Sequence, residues 1–202
     1  MKGFLSYLQS YRIFLASRSP RRNELLKKLG IPFEIWLKDE TDENIPDGMS
    51  GAEAVCFVAG KKADSFREEL GEREILITAD TIVKYKQDIF GKPDSVERAR
   101  AMLEFLSDKE HEVITGVCLQ SKLKNRCFAV TTNVSFAPLS KEDIEHYIES
   151  CQPFDKAGAY GIQEWIGLIG IRSIRGSYFN VMGLPVYELF SEIKEFINYK
   201  ND

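Results

Sequence analysis

The sequence predicts an α/β protein, because helix-like segments are interspersed with strand-like segments of mixed order. Apolar residues recur at helical spacing in several long segments. The shorter segments between them are either continuously apolar or alternate between apolar and polar residues, which is typical of strands. At 202 residues, 44% hydrophobic and 29% charged, the chain has the composition of a globular protein with a substantial core.

The first connection from strand to helix comes early in the chain. Residues 12–16 are predicted to form a short apolar strand, and Pro20 suits the first turn of a helix, where the N–H that proline lacks would have no partner. Ser19 is the expected N-cap of that helix. The apolar stripe of the helix consists of Leu25, Leu26 and Leu29.

The remaining strands are short and are bounded by turn signals or helices. They are predicted at residues 33–37, 75–78, 82–86, 89–91, 111–119, 127–136 and 166–174. Gln87 and Asp88 are the expected turn of a hairpin. The strands at 111–119 and 127–136 are joined by a polar connection, which predicts an antiparallel ribbon.

Helices are predicted where apolar residues follow an N-cap at helical spacing. The longest spans residues 51–70, and the next begins after Asp94 or Ser95. Ser140 caps a short helix, and an amphipathic helix begins near Val186. Because no repeat, low-complexity tract or linker interrupts these elements, residues 1–202 are predicted to form a single domain.

Charge and hydropathy restrict the classes of partner. The formal net charge is −4, whereas a broad nucleic-acid surface requires a basic excess, so any phosphate binding is expected to be local. No apolar run has the length of a membrane span, and residues 1–11 have too short and broken an apolar core for a signal peptide. These observations predict a cytoplasmic protein that binds a small phosphate compound and neither nucleic acid nor membrane.

The four cysteines match no metal or redox motif. None of Cys56, Cys118, Cys127 and Cys151 belongs to a C-x-x-C pair, and the chain has only two histidines. We therefore expect no zinc-like cluster, and all four side chains are predicted to be reduced thiols.

The segment between the first strand and the first helix is suited to bind an anion. A phosphate placed there would meet the N–H groups at the start of the helix and the hydroxyls of Ser17 and Ser19. The guanidinium groups of Arg21 and Arg22 would match its oxygens bidentately. The competing interpretation is a capped surface helix with solvated arginines.

Asp80 is the best candidate for a catalytic carboxylate. It follows the apolar run at residues 75–77 directly and is therefore expected at the end of a strand, where a cleft can open. With an anion-binding segment and Lys92 nearby, it would act as a general base or bind a divalent cation that acidifies water. The competing interpretation is an aspartate that caps a strand or turn.

Motifs spread over most of the chain resemble those of one family. In order they are S-x-S-P-R-R-x-E-L-L from Ser17, A-D-T-I-V from Ala79, G-K-P from Gly91, T-G-V from Thr115, K-A-G-A-Y-G-I-Q from Lys156 and G-S-Y-F-N-V-M-G-L-P from Gly176. Any one of these motifs could occur by chance, but chance does not account for all of them in this order. By these motifs the chain resembles the Maf family of nucleotide pyrophosphatases.

The resemblance implies a definite architecture and activity. The fold would be a long twisted mixed sheet flanked by helices, with two lobes and a central cleft, as in inosine triphosphate pyrophosphatases. The reaction would be metal-assisted attack of water at the α-phosphorus of a nucleoside triphosphate, giving a nucleoside monophosphate and pyrophosphate. The fold relatives also suggest a homodimer. The rival hypothesis is a nucleotide-sensing regulator of cell division with little turnover, because the family name arose from septum inhibition.

The resemblance also assigns an acidic site. The A-D-T acid activates water in the family, and Asp80 holds that position. A D-E pair after the second strand supplies a glutamate to the metal site. Asp42-Glu43 is the better match, although Asp39-Glu40 has the same letters. Glu43 and Asp80 would then bind Mg²⁺ or Mn²⁺, which prefer oxygen ligands. A solvated acidic loop is the alternative for residues 39–43.

Three lysines are candidates for neutralising the phosphates. Lys62 stands before Ala63, where family members carry a lysine on the long helix. Lys92 matches the lysine of G-K-P, which would steady the leaving group. Lys156 opens the K-A-G-A-Y motif. Each of them alone would more often be a surface lysine.

Base selection is assigned to Arg21, Thr81 and Gln163, which match the family positions tied to substrate preference. The Gln163 amide offers an acceptor and donors that suit the N3–H and O4 edge of uracil or thymine. The K-A-G-A-Y-G-I-Q motif is similar to that of the family branch that acts on UTP, dTTP and modified pyrimidine nucleotides, rather than to that of the branch that prefers 7-methyl-GTP. Glu164 and Trp165 depart from the family, which usually has glycine and then a small or polar residue, so the base pocket could be reshaped here.

Overall fold

The computed structural model of the chain describes residues 3–39, 44–46 and 48–199. Its helices are α1 (Phe4–Leu8), α2 (Pro20–Lys28), α3 (Gly51–Asp64), α4 (Val96–Leu106), α5 (Lys141–Cys151), α6 (Trp165–Gly170), α7 (Tyr178–Val181) and α8 (Val186–Phe196). Its strands are β1 (Arg12–Leu15), β2 (Glu34–Ile35), β3 (Glu74–Tyr85), β4 (Asp88–Phe90), β5 (Glu110–Gln120), β6 (Asn125–Phe136) and β7 (Ile171–Arg175). Short 3-10 helices lie at Arg67–Glu69, Pro153–Asp155 and Ala157–Ala159.

Within the described residues, seven strands form one sheet, in which β2-β1-β3-β5-β6-β7 are successive neighbours and β4 pairs with β3. β1 is parallel to both of its neighbours, with Phe14 opposite Glu34 on β2 and Leu76 on β3. β4 is antiparallel to β3, and β7 is antiparallel to β6. This mixed sheet with its flanking helices confirms the predicted α/β class.

The chain divides into two compact units. The first comprises the residues up to Asp80, Thr115–Val130 and the chain from Gly183 onward. The second comprises Thr81–Ile114 and Thr131–Met182. Because the divisions fall inside β3, β5 and β6, each of these strands contributes residues to both units.

The core of the first unit is formed where α3 packs on the sheet. Its buried members are Phe14, Ala59, Ala63, Phe66, Leu70, Leu76 and Cys118. The helix packs closely on β5 at Gly116, where an added Cβ would lie 2.5 Å from the backbone carbon of Val55. The glycine of the T-G-V motif is therefore required by close packing of helix on strand.

The second unit has an aromatic centre. The rings of His111, Phe136 and Tyr160 meet edge to face, with centroids 4.9 to 5.5 Å apart. His111 Nε2 lies 2.8 Å from the Tyr160 hydroxyl. Burial lowers the pKa of His111 to about 4, so the imidazole is neutral at neutral pH.

Serine N-caps begin the helices as the sequence predicts. Ser19, Ser95 and Ser140 each accept a hydrogen bond from a backbone N–H in the first turn of the helix that follows. This decides between Asp94 and Ser95 in favour of the serine. The final amphipathic helix is confirmed as α8.

One predicted boundary between two strands is wrong. Residues 75–78 and 82–86 were expected to be separate strands with Asp80 at the end of the first, but β3 runs through without interruption. Strand pairing uses backbone groups, so the polar side chains of Asp80 and Thr81 interrupt the apolar pattern without interrupting the strand. Asp80 thus projects from the middle of a strand.

The predicted strand at residues 166–174 is wrong in its first half, where the chain forms α6. A short apolar run fits a helix or a strand equally well. Here the Gly167 N–H donates to Glu164 O at 2.9 Å and turns the chain into a helix. Only Ile171–Arg175 extends along the sheet.

Other boundaries differ by a few residues. β2 is shorter than predicted. α3 ends at Asp64, and the buried residues Phe66 and Leu70, which fit the helical spacing, flank a 3-10 turn instead. The hairpin turn is Lys86-Gln87, since Tyr85 pairs with Asp88. The short helices α1 and α7 were not predicted, because they span too few residues to show a helical period.

Cys118 and Cys127 form a disulfide bond between β5 and β6, so the prediction of four reduced thiols is wrong for this pair. Their Cα atoms lie 4.1 Å apart across neighbouring strands, a proximity that strand pairing creates and cysteine spacing does not reveal. Cys56 and Cys151 carry free thiols, as predicted.

Among the described residues, none of the helices is both long enough and apolar enough to span a membrane.

Candidate active site

The turn between β1 and α2 holds its serines in fixed positions. Ser19 Oγ accepts from the Arg22 N–H at 3.5 Å, and the Ser19 N–H donates to Ser17 Oγ at 3.2 Å. The Ser17 side chain is buried. Arg21 lies partly buried on the first turn of α2. The predicted cap and helix start are therefore confirmed.

Arg22 ties three of the sequence motifs together. Its Nε donates to Gly183 O at 2.8 Å, and its Nη1 donates to Ala79 O at 2.9 Å. The same Nη1 lies 3.4 Å from Ser17 Oγ. The alternative in which both arginines of P-R-R are solvated is therefore wrong for Arg22, which fixes the backbone beside Asp80.

Lys62 and Asp80 meet in the first unit. Lys62 lies in the last turn of α3, and its Nζ is 3.0 Å from Asp80 Oδ1. The two side chains are only 20% and 16% exposed, so water screens this ion pair less than a surface pair. The structure thus joins two residues that lie 18 positions apart in the sequence and that were predicted to share one site.

A buried hydrogen bond holds α3 against β3 beside this pair. Thr78 Oγ1 donates to Ala59 O at 2.7 Å, and the Thr78 side chain is fully buried. Thr78 and Asp80 face the same side of the strand because side chains alternate. Lys62 follows Ala59 by about one helical turn. The bond therefore sets the register that brings Lys62 to Asp80.

The other predicted site residues lie in the second unit. Thr81 is partly buried on β3, whereas Lys92 and Gln163 are exposed. The Gly158 N–H donates to Gly91 O at 3.0 Å, so the K-A-G-A segment is joined to the G-K-P segment that carries Lys92.

Lys156 does not fit the phosphate-binding interpretation. Its side chain is 8% exposed, and its Nζ lies 2.7 Å from Asp155 Oδ1 and 3.0 Å from Glu164 Oε1. Two carboxylates thus neutralise the ammonium group inside the protein. The charge of Lys156 serves the conformation of its own segment.

Two structural residues of the motifs could not be recognised in the sequence. Asn180 is fully buried, and its Nδ2 donates to Val113 O at 3.1 Å and to Thr132 Oγ1 at 3.0 Å. Gly158 has a left-handed φ of 68°, and an added Cβ would lie 2.7 Å from Val83 Cγ2. Only their appearance in the G-S-Y-F-N and K-A-G-A motifs indicated that these residues matter.

The predicted metal site is described only in part. Glu43 and its alternative Glu40 lie outside the described residues. Across the described part of the chain, no three or more His, Cys, Asp or Glu side chains are grouped to hold a metal ion. The donor that is described, the Asp80 carboxylate, offers the hard oxygen that Mg²⁺ and Mn²⁺ prefer.

Comparison with known proteins decides the family. A family model described as "Maf-like protein" matches residues 12–196. The chain belongs to the Maf family. Every motif that carried the resemblance lies inside the matched range.

Several curated proteins resemble this Maf-family chain over nearly its whole length. The dTTP/UTP pyrophosphatase of Phocaeicola vulgatus is 50% identical over 191 residues, covering 95% of this chain and 99% of that protein. Those of Bacteroides fragilis strain ATCC 25285 and Parabacteroides distasonis are each 48% identical, covering 95% of this chain and 99% and 100% of those proteins. Among solved structures, the Staphylococcus aureus Ham1 protein matches 91% of this chain and 99% of its own, with 15% identity and a TM-score of 0.46.

Proposed function

We propose that this Maf-family protein hydrolyses nucleoside triphosphates, with dTTP and UTP as preferred substrates, to nucleoside monophosphate and pyrophosphate. Water attacks the α-phosphorus, the bond from that phosphorus to the α,β-bridging oxygen breaks, and pyrophosphate leaves. Relatives that share about half of their residues with this chain and are named dTTP/UTP pyrophosphatase support the substrate class.

The observation that carries the proposal is the partly buried ion pair between Lys62 Nζ and Asp80 Oδ1. The ammonium group fixes the direction of the carboxylate, and Arg22 holds the carbonyl of the preceding residue, Ala79. A carboxylate fixed in this way is pre-organised to accept a proton from the attacking water or to hold a cation.

The remaining residues are proposed to bind and orient the substrate. The hydroxyl of Ser17 and the guanidinium groups of Arg21 and Arg22 lie at the start of α2, where helix N–H groups favour a phosphate. Lys92 is proposed to neutralise charge that develops on the leaving pyrophosphate. Thr81 and Gln163 are proposed to contact the base, and Gln163 matches the polar edge of uracil or thymine.

A divalent cation fits the donor chemistry of Asp80, and Asp80 and Glu43 are proposed to hold it. Mg²⁺ or Mn²⁺ needs only one or two carboxylates when substrate phosphates and water complete its shell. When bound, the ion would polarise the phosphate oxygens and lower the pKa of its bound water.

We further propose that residues 1–202 act as one functional domain, as a homodimer and in the cytoplasm, where nucleoside triphosphates are available. Neither nucleic acid nor a membrane is proposed as a partner, because the formal net charge is −4 and the sequence has no apolar run of membrane-spanning length.

The deciding experiment is a panel of UTP, dTTP, CTP, ATP and GTP with added Mg²⁺ or Mn²⁺, analysed for pyrophosphate and orthophosphate separately. We expect pyrophosphate as the first product and faster cleavage of UTP and dTTP than of the purine nucleotides. Orthophosphate as the first product would reject attack at the α-phosphorus. Tight nucleotide binding without turnover would instead favour the nucleotide-sensing alternative.

A further inference from the structure

The segment from Lys156 to Glu164, here called the 156–164 segment, ends beside the residue proposed to read the base. Gln163 has an exposed side chain, so its own packing does not fix its direction. A long, exposed amide side chain has many rotamers, and ordering it on binding costs conformational entropy. It therefore binds a base weakly unless the backbone that carries it is fixed.

The two ends of the segment are joined by an ion pair. Lys156 Nζ lies 3.0 Å from Glu164 Oε1, and the lysine side chain is 8% exposed. Removing the Glu164 charge would leave Lys156 with one carboxylate instead of two, and removing the Lys156 charge would leave Glu164 without this ammonium group. Either loss is costly in a largely dry environment. The pair thus closes the 156–164 segment into a loop.

The second oxygen of Glu164 holds the middle of the segment through α5. The Tyr147 hydroxyl donates to Glu164 Oε2 and accepts the Gly161 N–H at 2.9 Å. Tyr147 is fully buried, and burial, together with its bond to Glu164, raises the pKa of the phenol well above its usual range. The Tyr147 hydroxyl therefore stays protonated and acts as the donor in its hydrogen bond to the Glu164 carboxylate.

The packing at Gly161 shows how closely Glu164 lies over the segment. An added Cβ at Gly161 would be 2.7 Å from Glu164 Cδ and 3.0 Å from Gln163 Nε2. The carboxylate and the Gln163 amide thus lie on the same small patch of backbone. Glu164 occupies this space.

We propose that Glu164 is a positioning residue for base selection, which binds Tyr147 and Lys156 at once and so holds Gln163 in the conformation that reads a pyrimidine. This inference rests on the proposed function. Glu164 thereby acts as a clamp on the backbone that carries Gln163.

The test compares selectivity, taken as the ratio of kcat/KM for UTP to that for GTP. In Glu164→Ala we expect this ratio to fall by about tenfold, the value of one lost hydrogen bond, through a higher KM for UTP with kcat within about threefold of the parent protein. Glu164→Gln keeps an acceptor for Tyr147 and should retain more of the ratio. The exposed Glu149 on α5 is the matched control, and Glu149→Ala should leave the ratio unchanged.

A double variant separates positioning from general loosening of the fold. If Glu164 acts through Gln163, adding Glu164→Ala to Gln163→Leu lowers the ratio no further. The proposal would be overturned if Glu164→Ala lowered the UTP-to-GTP ratio equally in the parent protein and in Gln163→Leu. An unchanged ratio in folded Glu164→Ala would also overturn it. If Glu164→Ala fails to fold, Tyr147→Phe removes one hydroxyl while keeping the ring, and it should reduce the ratio in the same direction.

Binding of non-hydrolysable analogues distinguishes this proposal from the proposed function. The Kd values of UTP and GTP carrying an imido group between the α- and β-phosphorus report base selection without turnover. Absence of pyrophosphate release by the parent protein would reject the proposed function alone. A Kd ratio that is the same in the parent protein and in Glu164→Ala would reject the positioning role.

Discussion

Single residues in this protein use their polar groups in ways that residue type does not reveal. Arg22 belongs to a P-R-R motif suited to phosphate, yet two of its nitrogens donate to the carbonyls of Ala79 and Gly183. Its planar guanidinium reaches both carbonyls at once, which a lysine could not do. Asp80 gains its fixed direction from Lys62. A side chain that holds the backbone thus lies within a motif that is proposed to bind phosphate.

The first prediction is that turnover depends on the carboxylate of Asp80. Asp80→Asn keeps the shape of the side chain but removes its basicity and most of its affinity for a cation, so turnover of UTP should fall by more than about a hundredfold. Steady-state release of pyrophosphate measures the loss, and circular dichroism checks the fold. Asp88→Asn, at an exposed position on β4, is the matched control and should retain full activity.

The second prediction concerns the glutamate of the proposed metal site. Glu43→Gln removes one of two carboxylates, so the Mg²⁺ concentration for half-maximal activity should rise by about tenfold or more, while activity at saturating Mg²⁺ is partly restored. Glu40→Gln provides the comparison. If Glu40→Gln raises the requirement and Glu43→Gln does not, the assignment within residues 39–43 is wrong.

Whole elements are positioned by a few close contacts. α3 is capped by Ser50 and Glu53 in a reciprocal capping box, which satisfies two backbone donors at its start. Thr78 then holds its later turns to β3, and Gly116 allows the helix to approach β5. These contacts act together, because a shift of α3 would move Lys62 away from Asp80.

The third prediction tests this close approach. In Gly116→Ala the added methyl would meet the backbone of Val55, which cannot rotate away, so the free energy of unfolding should fall by about 1–3 kcal/mol or more. Urea denaturation measures it. Gly60→Ala, on the helix α3 that carries Val55, is the control: its Cβ would lie 3.5 Å from Cys127 Sγ, an ordinary contact, and alanine favours the helix. Equal destabilisation by both substitutions would contradict the packing argument.

For the whole molecule, the stability of the fold is expected to depend on His111. Burial lowers its pKa from 6.5 to about 4, and its buried Nδ1 has no hydrogen-bond partner among the residues that the structure describes. The unfolded chain therefore binds a proton more readily than the folded protein between these two values. The contribution of the neutral imidazole to stability is complete above about pH 6.5 and is lost as the pH falls toward 4.

The fourth prediction follows from the difference between the pKa of His111 in the unfolded chain and in the folded protein. This difference corresponds to about 3 kcal/mol of folding stability at most. Between about pH 7.5 and about pH 4.5, the free energy of unfolding should fall by about 2–3 kcal/mol more in the parent protein than in His111→Gln. Urea denaturation at both pH values measures it. The exposed His146 provides the control, because His146→Gln should keep the pH dependence of the parent protein.

The amino-acid sequence is sufficient to predict the α/β class, the N-caps at Ser19 and Ser140, and the long helix that carries Lys62. It also predicts the family. These follow from periodicity, capping and ordered motifs, which are properties of local sequence. The folded structure was needed to establish that β3 runs unbroken through Asp80, that residues 165–170 are helical and that Cys118 meets Cys127. It alone decided that Arg22 binds carbonyls, and that Glu164 joins Tyr147 to Lys156. The physical reason is that strand pairing and buried polar contacts join residues far apart in the chain, and their partners are set by packing rather than by spacing.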